Sequence, residues 1–131
     1  MNKCLEFRRQ QEEILLAQPH QCGKKLGDVT SVNLTILRAG SQHNVVPTEA
    51  YAGMDIRVPP TVDLGEFEAQ LASWCADAGV TYRFAHHTPA NKVTPISEDS
   101  VWWQAFLAAT AKLGLKIEPE IFPAATDSYV S

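Results

Sequence analysis

Three cysteines, Cys4, Cys22 and Cys75, are all the chain has, an odd number with no C-x-x-C spacing. That suggests neither a disulfide framework nor a thiolate zinc site, and it fits a reduced, cytosolic compartment. No stretch reaches the ~18 apolar residues of a membrane-spanning helix. The opening MNKCLEFRRQQEE is charged from its third residue and has no apolar signal-peptide core, so neither secretion nor a membrane partner is expected. Basic residues are scarce: 11 Lys and Arg stand against 15 Asp and Glu, for a net charge of -4, and no cluster is longer than Arg8-Arg9 or Lys24-Lys25. A nucleic-acid partner or an anionic surface is therefore not expected. Also missing are a G-x-S-x-G elbow and a glycine-rich phosphate loop.

What remains is the composition of a soluble globular domain, 45% hydrophobic and 20% charged over 131 residues, enough for one core. Residues 2 to 17 read as a helix, because Cys4, Phe7, Gln11, Ile14 and Ala17 recur at helical steps. A loop leads to VTSVNLTILRAG, where Val32, Leu34 and Ile36 alternate with polar residues in the period of a half-buried strand. A second strand follows near 50–58, with Ala50, Ala52, Met54, Ile56 and Val58 on one face and Tyr51, Asp55 and Arg57 on the other. The two strands are close enough to pair as an antiparallel hairpin with a long tip, Ala39 to Thr48, and the prolines of VPPTVD end the second.

From the N-cap candidate Asp63, a stripe of Leu64, Phe67, Leu71, Trp74, Cys75 and Ala78 predicts a helix ending at Gly79. Val80, Tyr82 and Phe84 then predict a third strand, residues 98–113 another helix, and LKIEPEIF at 115–122 a last short strand. The order is that of a split β-α-β-β-α-β pattern lacking its first strand. The expected fold class is thus α+β, a ferredoxin-like two-layer sandwich with an extra helix and strand. In that pattern the missing strand is central. The gap is expected to be closed by residues 115–122 or by a strand of a second copy, with the Trp102-Trp103 helix packed on the sheet.

Chemistry is sparse. His86 and His87 are adjacent and would point to opposite sides of a strand, while His20 and His43 stand alone, so no metal site is expected from this chain. Trp102, Trp103 and Phe106 could line a ligand box, but at helical spacing with Leu107 and Leu113 they read as packing. His43 and Asn44, in the hairpin tip, are the better candidates, since an uncharged amide at a loop end can hydrogen-bond a ligand carboxylate or amide.

GDVTSVNLTILRAGSQHNVVPTEAYAGMDIRVPP, then FEAQLASWCADAG, VTP, WWQAF and EPEIFPAATD, together resemble the aminoacylases of the dinuclear-zinc aminoacylase and carboxypeptidase superfamily, over nearly the whole chain. The resemblance implies that residues 1–94 are a lid, or dimerisation, domain incomplete at its N-terminus, and that residues 95–131 re-enter a zinc-binding catalytic domain. It implies an enzyme that hydrolyses N-acyl-L-amino acids to a carboxylate and a free amino acid. In that enzyme a zinc-bound water attacks and a glutamate acts as base, and none of those ligands falls in this stretch. A homodimer, the rest of the catalytic domain and an N-acyl-amino acid are the implied partners. The family's Asn-Val-Ile/Val-Pro motif is matched at Asn44, and its Arg thirteen residues later at Arg57; in relatives these are similar to residues that bind substrate from the lid. Pairing of Arg57 with Asp55 or with a neighbouring strand is the structural alternative.

The family's Ala-Thr-Asp is followed by an Arg-bearing segment, whereas this chain reads ATDSYVS. The expectation is therefore a fragment, catalytically silent by itself. Two further readings stay open: the same role in a related zinc dipeptidase or desuccinylase, and a free-standing ferredoxin-like binding module.

Overall fold

The computed structural model describes residues 1–17, 24–88 and 93–124; His20, Cys22 and the Ala-Thr-Asp motif ending at Asp127 lie outside the described residues. The elements are α1 (Asn2–Leu16), a 3-10 turn (Leu26–Asp28), β1 (Ser31–Ala39), β2 (Ala50–Arg57), α2 (Leu64–Asp77) and α3 (Val101–Lys112). The fold is α+β. β1 and β2 pair antiparallel from Ser31 opposite Arg57 to Ala39 opposite Ala50, which is the hairpin the alternation predicts.

α2 starts and stops where its sequence says, and α3 ends as expected but begins at Val101, three residues after the expected 98. The Asp63 carboxylate accepts from the Glu66 N–H at 2.8 Å, and the Ser100 hydroxyl accepts from the Trp103 N–H at 3.3 Å. Both satisfy donors that a first turn leaves free. Gly79 and Gly114 take left-handed φ angles of 63° and 68° just past α2 and α3, a conformation that costs glycine little.

α1 lies against α2 and the hairpin base. Phe7 meets Phe67 at 5.9 Å and Trp74 at 5.4 Å between ring centroids, and the Gln11 side-chain oxygen accepts from the buried Thr30 N–H at 3.1 Å. The inward stripe of α1 runs through Cys4, Phe7, Gln11 and Leu15, while Ile14, expected inside, is exposed. The apolar interior is thin: Cys4, Val29, Val32 and Phe67 are its buried members, and no large side chain among the described residues is fully enclosed.

The alternation of β1 does not run straight through. Leu34 sits opposite Met54 but Ile36 opposite Gly53, so Thr35 is an extra residue, a β-bulge, with its hydroxyl donating to the Gly53 carbonyl at 3.2 Å. Beyond it Leu37, and not Ile36, shares the Ala50-Ala52-Met54-Ile56 face. Gly53 fits the shift, because a Cβ there would come within 3.1 Å of the Ile36 Cβ.

Two predicted strands do not form. Val80–Phe84 joins no ladder; in the split pattern its neighbour is the first strand, which this element order lacks, and an unpartnered strand leaves every backbone group unpaired. Its aromatics pack locally instead, Tyr82 on Phe84 at 5.5 Å and Phe84 on the His87 ring at 4.5 Å, while His87 Nε2 meets Glu68 of α2 at 2.6 Å. Leu115–Phe122 likewise stays outside the sheet, Pro119 removing a donor, and fastens through side chains. Lys25 Nζ donates to Glu120 and, at 3.4 Å, to Glu118. The ferredoxin-like sandwich is therefore not reached among the described residues, nor is the gap closed from within. α3 does not bury its tryptophan pair against the sheet: Trp102 is 87% exposed.

Candidate functional site

The hairpin places the two sequence candidates far apart. Asn44 lies in the turn at the tip, exposed like its neighbour His43. Arg57 closes β2 at the base, opposite Ser31. At the ordinary rise of ~3.3 Å per residue, the seven steps from Ala50 to Arg57 separate tip and base by about 23 Å. A small ligand held by Asn44 cannot reach the Arg57 of the same copy.

The tip is built from its backbone outward. Gly40 turns the chain with φ 68°, Val45 donates its N–H to the Gln42 carbonyl at 3.5 Å, and Pro47 stands beside Gly40. Proline fixes φ there, so the turn bearing Asn44 is stiffened from its C-terminal side. Val46, next to the proline, is 87% exposed. A valine pair offered to water at a loop end suits contact with another surface better than solvation.

At the base, Arg57 Nε donates to Asp55 at 3.0 Å and one terminal nitrogen to the Pro123 carbonyl at 2.9 Å. Other guanidinium donors remain available. Beneath it a groove of about 360 Å3 runs between α1 and the hairpin, with Leu15, Leu26 and Val29 as apolar lining and Arg8, Asp55 and Arg57 among its charges. The Lys25 cluster lies along the same docked segment. Donation to Glu120, and secondarily to Glu118, holds the Lys25 ammonium above the usual lysine range. Gly27 lets that segment approach so closely that a Cβ would fall 1.9 Å from the Ile121 carbonyl oxygen.

Reading the sequence missed the Pro123 carbonyl and the Lys25 pairs, because they join positions more than 60 residues apart. Asp55 was legible, two residues from Arg57 on the same strand face. Among the described residues no group of three His, Cys, Asp or Glu converges as metal ligands would, and no helix is long and apolar enough to cross a membrane. Trp103 and Phe106 stack on one another at 5.7 Å along α3, and form no box with the hairpin.

A family profile described as a peptidase dimerisation domain, of the M20 type, matches residues 8–83. The chain is also similar to three curated proteins over 98% of its length: aminoacylase-1 of Dictyostelium discoideum at 47% identity, aminoacylase-1A of Rattus norvegicus at 48% and aminoacylase-1 of Homo sapiens at 45%. It spans about a third of those proteins, 33%, 31% and 31% respectively. No solved structure matches. The profile covers the later part of α1, the hairpin and α2, and the chain belongs to the M20 peptidase dimerisation domain family.

Proposed function

We propose that the chain serves as the lid and dimerisation portion of a zinc-dependent aminoacylase, a cytoplasmic homodimer that hydrolyses N-acyl-L-amino acids to a carboxylate and an L-amino acid. In this reading residues 1–94 are the lid and residues 95–131 part of the catalytic domain. The observation that carries it is the 45–48% identity, over 98% of the chain, to proteins named aminoacylase-1. The described residues do not fit a zinc site, having no converging ligand group, so no catalytic step is routed through this chain. Its work is to bind, orient and cover.

Asn44 is the proposed contact to the substrate carboxylate or amide, its stiffened, apolar-flanked tip being suited to press on a neighbouring surface. Arg57 is the second proposed contact, through the donors that Asp55 and Pro123 leave free. Since the two stand at opposite ends of one hairpin, they address a single substrate only when drawn from two copies. In the intact enzyme Asn44→Ala should lower kcat/KM toward an N-acetylated amino acid by tenfold or more, because a hydrogen bond to a charged group is worth about 1.5–3 kcal/mol. Wild-type kinetics in a normally folded variant would remove Asn44 from the site.

A further inference from the structure

Cys4 and Cys75 were set aside above because three cysteines make no framework, yet the packing of α1 on α2 puts two of them at one level of a helix pair. α1 and α2 run antiparallel with a fixed register. Lys3 Nζ pairs with Asp77 at 2.7 Å, and Phe7 reaches both Phe67 and Trp74. One helical turn toward the N-terminus from Phe7 is Cys4, and the matching advance along α2, toward Asp77, brings up Trp74 and Cys75. Both cysteines lie on the facing stripes: Cys4 is buried at 9% exposure, the same class as Phe67, and Cys75 is half-buried. Small side chains at such a level let two helices approach closely, which is what the short reach of a disulfide demands.

We propose that Cys4 and Cys75 form a reversible disulfide that fastens α1 to α2. The oxidant is a small-molecule disulfide of the glutathione type. Cys75, the more exposed, reacts first: its thiolate attacks one sulfur of glutathione disulfide, forming a mixed disulfide and expelling one glutathione thiolate. Cys4 then gives its proton to solvent and attacks the Cys75 sulfur. The Cys4–Cys75 bond forms, the second glutathione leaves, and one disulfide has been exchanged for another with two protein thiols oxidised. The order agrees with the thiols themselves. Burial, against the opposing pull of the amino terminus and with the neighbouring Cys75 adding to it, raises Cys4 above the ordinary thiol range, so it is the poorer first nucleophile.

The test is to hold the 131-residue chain in glutathione buffers of increasing oxidised fraction, block free thiols and digest with trypsin without reduction. Cleavage places the three cysteines on separate peptides, residues 4–8, 10–24 and 58–83. Expected is a linked pair of 4–8 with 58–83 in monomeric chain, abolished by added thiol and unchanged in a Cys22→Ser chain, together with a higher melting temperature of the oxidised form. Any of three results would overturn the proposal: a link to 10–24 in its place, a disulfide-bonded dimer, or a persistent glutathione adduct on 58–83 with 4–8 blocked as free thiol.

Discussion

Gly27 shows how much a single residue decides here. It needs no left-handed φ, and its composition signal is nil, but the Ile121 carbonyl oxygen occupies the place where a Cβ would be built, at 1.9 Å. Backbone cannot yield as a flexible side chain can. Gly27→Ala should therefore push residues 118–123 off the hairpin base, loosening Lys25 from Glu120 and Arg57 from Pro123, at a loss of about 1–3 kcal/mol typical of overpacking. Urea unfolding of the purified variant checks it, and a midpoint equal to that of the native chain would show that the close approach contributes nothing. The ion pairs that go with it are exposed and screened by solvent, so the steric effect should dominate.

At the scale of elements, the helices follow their local signals because caps, periodicity and terminal glycines act within a turn or two. Strands depend on what lies beside them. β1 and β2 form since they pair with each other; Val80–Phe84 carries an equally good alternation and stays out of any ladder, having no partner among the described residues. The bulge at Thr35 is of the same kind: nothing in the run Val32, Leu34, Ile36 announces it, and it follows from what Gly53 can and cannot offer across the pair. Helix packing can be weighed by two truncations. Phe67 is 7% exposed and touches the Phe7 ring at 5.9 Å, so Phe67→Ala should cost about 3 kcal/mol. Trp102→Ala, at 87% exposure, should change stability by less than about 0.5 kcal/mol. Equal costs in thermal unfolding would mean that the exposed Trp102 of α3 contributes as much to stability as the buried Phe67 of the α1–α2 layer.

The whole molecule exposes many large apolar side chains, Val46 and Leu37 along the hairpin and Val101, Trp102 and Leu113 along α3 among them. An interior this thin, in a member of a dimerisation domain family, agrees with the proposal of a second copy as partner. The separation of Asn44 from Arg57 makes the proposed dimer testable by complementation in the intact enzyme. In a mixture of Asn44→Ala and Arg57→Ala protomers, a mixed two-fold dimer has one site with both residues lost and one with both intact. Random assortment should restore about a quarter of wild-type activity. Activity no higher than that of either variant alone, with mixed dimers present, would mean that the two residues do not serve one substrate.

By itself the sequence determined the helices, the hairpin, the tip that bears Asn44, the start signal at Asp63 and the stop signals at Gly79 and Gly114, and the family to which the chain belongs. All of these rest on patterns a few residues long, or on several such patterns together. Only the tertiary structure decided that Arg57 sits with Asp55 and the Pro123 carbonyl, that Asn44 and Arg57 are kept apart by the length of a strand, that Leu37 replaces Ile36 on the apolar face, and that α1 sets Lys3 against Asp77 and Phe7 against Trp74 of α2. Each of these depends on register or on contacts across dozens of residues, where one residue of slip changes which side chains meet, and local pattern carries no record of that.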